Sequence, residues 1–168
     1  MDTPSTSIRN VSDVTMSKWD NRFLELAEMV SSWSKDPSTK VGAVITDGKH
    51  VVSVGFNGFP PNCEDKEEWL NDRPTKYKLV IHAEVNAIAN ANRSLRGTTL
   101  YSFPLCPCGE CAKHIAVSGI SRVVSLTDKT KTSTPTIRQD GNPSYLSDEA
   151  AFVFQANGIE YLNIDNQP

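Results

Sequence analysis

The sequence predicts an α/β fold in which one sheet is flanked by helices. Three observations carry this reading. Early in the chain, apolar residues recur at spacings of three and four, as on one face of a helix. Two β-rich runs follow, separated by the turn pair Asp47-Gly48. Beyond residue 80, helix-like and strand-like segments alternate, so the whole order reads αββαβαβα(β). A chain of 168 residues is long enough for one domain with a substantial core. That domain is expected over 17–168, preceded by a flexible Ser/Thr/Asp-rich arm over 1–16.

The first helix is expected over 18–33. Trp19, Phe23, Leu26, Val30 and Trp33 form its apolar stripe, Ser17 with Asp20 resembles a capping box, and Asp36-Pro37 ends it. Residues 41–46 and 50–56 read as paired strands, and 57–63 as a run of turn formers. Residues 64–78 are polar and charged, a long surface loop or lid. A helix over 82–92, a strand over 98–103, a helix over 108–118 stopped by Gly119, and a strand over 122–126 come next. Residues 127–147 form a second long polar loop. Ser147 then caps a helix to about 157, Gly158 stops it, and 159–164 is the last strand.

Composition narrows the function. Hydrophobic residues make up 38% and charged residues 22%, an ordinary globular mix. A net charge of -3 counts against a surface built to grip a polynucleotide. No apolar run approaches the ~20 residues of a membrane span. The start of the chain lacks a charged-then-apolar leader pattern, so a cytoplasmic location is expected. In that setting four cysteines, two of them in a Cys-x-x-Cys pair, point to metal rather than to disulfides.

The chemistry concentrates between 82 and 111. His82-Ala83-Glu84 opens this stretch and Pro107-Cys108-Gly109-Glu110-Cys111 closes it. One imidazole and two thiols suit Zn²⁺, and cysteines three apart share one helix face. Three protein ligands leave a fourth position for water, and Glu84 would stand beside it. Positions i and i+2 diverge on a helix, so His82 has to sit where the helix begins. A closed, purely structural zinc site is the alternative, with Cys106 or Cys63 as fourth ligand. His114 reads as a surface or packing histidine rather than a fourth ligand, and His50 as a solvent-facing residue at a strand start.

These motifs resemble the deoxycytidylate deaminases of the zinc cytidine-deaminase superfamily, whose pattern is H-x-E…P-C-x-x-C. The resemblance rests on Asp36-Pro37-Ser38-Thr39-Lys40-Val41-Gly42-Ala43, Gly55-Phe56-Asn57-Gly58-Phe59-Pro60 and Thr75-Lys76-Tyr77. It also rests on His82-Ala83-Glu84-Val85-Asn86-Ala87-Ile88 and Cys108-Gly109-Glu110-Cys111-Ala112-Lys113. It implies a three-layer α/β/α fold with a five-stranded mixed sheet. It further implies Zn²⁺ held by His82, Cys108 and Cys111, with Glu84 as acid/base in the deamination of dCMP to dUMP for thymidylate synthesis. A homohexamer is implied, as are dCTP as activator and dTTP as inhibitor, the triphosphate accompanied by Mg²⁺. Backbone at Ala83 and Pro107 is expected to read the pyrimidine edge, and Asn57 the sugar or base. Ser38, Thr39 and Lys40 are candidates for the 5′-phosphate, and Tyr145 for closing over the base. The turn-rich backbone around Gly58, Phe59 and Asn62 is a candidate effector site. Related enzymes acting on free cytidine, tRNA adenosine or single-stranded DNA remain alternatives.

Overall fold

The structure is a computed structural model describing residues 16–128, 130–131, 136–137, 143–144 and 146–165. The expected arm over 1–16 therefore lies almost wholly outside the described residues. Helix α1 is Lys18–Ser31, and its capping box is present: Ser17 Oγ accepts from the Asp20 amide while Asp20 accepts from the Ser17 amide. Strands β1 (Gly42–Asp47) and β2 (His50–Phe56) form a hairpin. Its two-residue loop is Gly48-Lys49, one position later than expected. Gly48 has φ 58°, the conformation a tight hairpin turn requires at its first central residue.

Residues 64–78 are not the loop expected from their polarity. They contain the short helices α2 (Glu67–Asn71) and α3 (Arg73–Leu79). Asp72 caps α3 by accepting from the Thr75 amide, and Pro74 sits in its first turn, where its missing N–H costs nothing. Helix α4 (Ala83–Asn90), strand β3 (Thr99–Phe103), helix α5 (Gly109–Ser118) and strand β4 (Arg122–Thr127) follow. The second long loop holds a small antiparallel ribbon, β5 (Thr136–Ile137) with β6 (Pro143–Ser144). Helix α6 (Asp148–Ala156) and strand β7 (Glu160–Asp165) complete the order.

The main sheet has five strands in the order β2-β1-β3-β4-β7. β1 runs antiparallel to β2 and β3, while β3, β4 and β7 are parallel, so the sheet is mixed and open. Adjacent residues of each strand face opposite layers. Ala43, Ile45, Leu100 and Val123 pack against Ala83 and Ala87 of α4, Ile115 of α5 and Phe154 of α6. Val44, Tyr101, Val124 and Leu162 pack against Phe23, Leu24, Ala27 and Val30 of α1. Both faces are covered, which is why β1 reads as an unbroken apolar run rather than an alternating one. This is the expected three-layer α/β/α fold with a five-stranded mixed sheet.

Glycines set two of the close approaches. A Cβ on Gly42 would overlap the α1 backbone at Ala27 and Ser31, and one on Gly55 would overlap the α4 backbone at Ala83 and Ala87. Trp33 departs from the expected stripe. α1 stops at Ser31, where Ser31 Oγ and Ser32 Oγ donate to the carbonyls of Glu28 and Met29. Trp33 is left 51% exposed, edge-on to Phe56. Among the described residues, no helix is long and apolar enough to cross a membrane.

Candidate active site

Two helix N-termini meet at one point. His82 is the N-cap of α4, with extended backbone at φ −70°, ψ 153°, and Glu84 lies in the first turn. The chain changes direction between them, which removes the conflict of i and i+2 positions on one helix. Cys108 is the N-cap of α5, its Sγ accepting from the Cys111 amide at 3.5 Å. The positive ends of both helices thus face the same spot and favour anionic sulfur there.

His82 Nδ1 stands 3.4 Å from Cys108 Sγ and 3.3 Å from Cys111 Sγ. All three ligand atoms fall within 4.8 Å of one another. Tetrahedral zinc with ordinary Zn–S and Zn–N bonds would hold such N and S atoms about 3.6 Å apart, so the group fits the ion. Among the described residues, no fourth His, Cys, Asp or Glu joins it. Cys106 Sγ is turned elsewhere: the Tyr161 hydroxyl donates to it at 2.8 Å, and Thr127 Oγ1 lies 3.4 Å away. Cys63, His50 and His114 are exposed and outside the group. A closed structural site built with Cys106 or Cys63 is therefore not what the geometry offers.

Glu84 is 3% exposed, and Cys111 Sγ donates to its Oε2 at 3.5 Å. Burial pushes its carboxyl up from the ordinary value. The Cys108 thiol is held down to about 3, chiefly by the hydrogen bond from Cys111, against the opposing effect of burial. The same hydrogen bond, together with burial, pushes Cys111 up. The bond with Cys108 raises His82. A divalent cation bound here would replace the remaining thiol proton.

A cavity of about 530 Å³ opens onto this group, lined by His82, Ala83, Glu84, Cys106 and Cys108. Ser38 and Thr39 line it too, whereas Lys40 is exposed and does not. Pro107 is buried just outside the lining, between Cys106 and Cys108. Asn57 lines the cavity, but its amide is committed as a strut. Its Oδ1 accepts from the Val41 amide at 2.8 Å, and its Nδ2 donates to the Thr39 carbonyl at 2.9 Å. Gly58, Phe59 and Asn62 lie off the cavity, and Asn62 has φ 69°. Gly58 nevertheless pairs in both directions with Ile81, the residue before His82, at 3.1 and 2.8 Å. Tyr145 lies outside the described residues.

Sequence reasoning missed the α3 wall. Arg73, Lys76, Tyr77 and Val80 all line the cavity. Lys76 is buried, its Nζ 3.2 Å from Asp36 Oδ1 and 3.3 Å from Ser38 Oγ. The signal that could have revealed α3 is Asp72-x-Pro74-Thr75, a capping residue followed by proline in the first turn.

A three-ligand metal group with a buried carboxylate beside it, set at two helix N-termini, is the layout of a zinc deaminase centre. The comparisons agree. The family model for the cytidine and deoxycytidylate deaminase zinc-binding region matches residues 17–127, and the chain belongs to this family. The probable deoxycytidylate deaminase of Drosophila melanogaster is 42% identical over 155 residues, spanning 85% of this chain and 70% of that one. Human deoxycytidylate deaminase is 39% identical over 119 residues, spanning 67% and 66% of the two chains. The fold of cyanophage S-TIM5 dCMP deaminase in apo form matches with a TM-score of 0.66 at 23% identity, covering 89% of this chain and 100% of that one. The same enzyme in complex with dCMP and dUMP matches with a TM-score of 0.65.

Proposed function

We propose that the protein hydrolyses dCMP to dUMP and ammonia. The observation that carries this is the buried Glu84 beside the His82–Cys108–Cys111 group, opening onto one cavity. The resemblance to deoxycytidylate deaminases supplies the substrate. Zinc held by the three ligands would supply Lewis acidity, which brings the pKa of water from 15.7 towards ~7. The chain's own part is proton transfer and positioning. Glu84 takes the proton of the attacking water and passes it to N3 of the pyrimidine as C4 becomes tetrahedral. It then takes the proton of the new C4 hydroxyl and delivers it to the amine, so that the C4 carbonyl forms as the C4–N bond breaks, water is consumed and ammonia is released. Backbone at Ala83, and at Pro107 between its two lining neighbours, holds the pyrimidine edge, while Asn57 shapes the cavity through Val41 and Thr39 rather than through a free amide. Ser38 and Thr39 serve the 5′-phosphate side; Lys40 is exposed and not part of the lining.

The same reading places the enzyme in the supply of dUMP for thymidylate synthesis, as a cytoplasmic homohexamer activated by dCTP with Mg²⁺ and inhibited by dTTP. The loop of Gly58, Phe59 and Asn62 is the proposed effector contact. Its support is the Gly58–Ile81 pairing, which would carry a shift of the loop to His82. An ammonia-release assay on dCMP, deoxycytidine, CMP and a short single-stranded DNA tests the substrate. Preference for dCMP is expected. Preference for the oligonucleotide would move the protein to the polynucleotide branch, and equal turnover of dCMP and deoxycytidine would make it a nucleoside deaminase.

A further inference from the structure

We propose that Arg73 is the residue that makes the enzyme prefer a nucleotide over a nucleoside. This rests on the dCMP reading above. A 5′-phosphate brings nearly two negative charges to a chain of net charge -3, so local cations have to receive it. Three described cations line the cavity: Arg73, Lys76 and Lys131. Two are already engaged. Lys76 is buried against Asp36, and both side chains are under a tenth exposed, so their charges cancel. Lys131 Nζ lies 2.9 Å from Glu28 Oε1 and 3.9 Å from Asp128 Oδ2, over the face of Phe103. Arg73 makes no ion pair or hydrogen bond through its side chain among the described residues, and it is exposed.

Helix geometry puts that unspent charge at the right end. Arg73, Lys76 and Tyr77 follow i, i+3, i+4 spacing on one face of α3, the extended C-cap Val80 continues that row, and all four line the cavity. Val80 is two residues from His82, so the end of α3 near Val80 lies at the reacting end. Arg73 stands seven residues earlier, ~10 Å along the axis, where the end of a nucleotide opposite C4 would project. Ser38, held by Lys76, lies between the two ends of that face. A guanidinium offers a planar fork to a phosphate that an ammonium cannot match.

The test measures kcat/KM for dCMP and deoxycytidine in the zinc-loaded wild type and in R73Q, R73K, K131Q and K76M. R73Q should lower the dCMP value by ~10–100-fold while leaving deoxycytidine within about twofold, since the lost bonds are charge-assisted and reach only the phosphate. The dCMP loss should appear in KM rather than kcat. R73K should recover part of it, and K131Q should cost less than R73Q. K76M should depress both substrates together, because it strands Asp36 in the interior. Equal loss on both substrates in R73Q would assign Arg73 a structural role and overturn the proposal. A wild type that prefers dCMP, with R73Q unchanged, would overturn the proposal alone. A wild type indifferent to the phosphate would overturn both this and the dCMP reading.

Discussion

The placement of His82 shows how one backbone angle decides a site. As the N-cap it lies outside the helical spiral, so its imidazole and the Glu84 carboxylate reach the same volume despite their i, i+2 spacing. Cys108 repeats the device at α5, and Cys111 follows one turn later. Cys106, two residues before Cys108, is excluded by its partners. The prediction at this scale is that Cys106→Ser keeps about one zinc per chain, measured by metal analysis of purified protein. Loss of the metal in that variant would mean that Cys106 is a ligand. The ligands and Glu84 were legible because their spacing is local and their side-chain types are chemically restrictive. The cations that line the cavity were not. Lys40 follows Ser38 and Thr39 in sequence, yet the cation beside Ser38 in space, Lys76, comes from more than thirty residues away, and so does Arg73, which lines the same cavity. Adjacency in sequence says little about which long, flexible side chain turns inward.

At the scale of elements, helices and strands with strong apolar periodicity were readable, as were the caps Ser17 and Ser147, whereas the short charged helices α2 and α3 were not. α3 was masked by its charged composition, although its buried face needs only Lys76 and the groups Lys76 holds. α1 was expected to run to Trp33, but serine hydroxyls competing for its last carbonyls end it at Ser31. The α4–β2 contact is the element-level feature that matters most for the site. Gly55 lets α4 lie directly on β2, and Asn86 and Asn90 fasten it by donating to the Phe56 and Val54 carbonyls at 2.8 and 3.0 Å. Gly55→Ala should therefore push α4 outward, costing about 1–3 kcal/mol in urea unfolding. Turnover should fall with it, since α4 carries His82 and Glu84. Wild-type stability and rate in this variant would show that the helix does not depend on the approach.

For the whole molecule, the layers are pinned by one buried charge. Asp20 of α1 takes both Arg122 guanidinium nitrogens, at 2.7 and 3.1 Å, and the Tyr101 hydroxyl at 2.8 Å, joining helix, β3 and β4. Burial alone would raise its pKa, but Arg122, Tyr101 and Ser17 together hold the carboxyl well below the usual carboxylate range. A lowered folded-state pKa means stability that is complete above the unfolded value of about 4 and is lost as pH falls towards the folded one. Asp20→Asn should cost ~3–5 kcal/mol at pH 7, because it strands Arg122. The gap between variant and wild type should narrow from pH 4 downward. Any metal contribution affects both proteins and drops out of the difference. A gap that stays constant from pH 7 to pH 3 would remove Asp20 as the linked group. A sheet flanked by helices was legible from the alternation of helix-like and strand-like segments, while the three layers and the five-stranded mixed sheet were implied by the family resemblance. The order of strands in the sheet came only from the structure, since pairing partners leave little trace in local sequence.

The central claim is that Glu84 moves protons at a zinc centre without binding the metal. Its most direct test is ammonia release from dCMP by Glu84→Gln, with zinc content measured on the same sample. Glutamine keeps the shape of glutamate but cannot take a proton. The variant should keep about one zinc per chain and lose at least the ~10²–10⁴ in kcat that general acid–base catalysis contributes. Turnover close to wild type, or loss of the zinc with the carboxylate, would contradict the account.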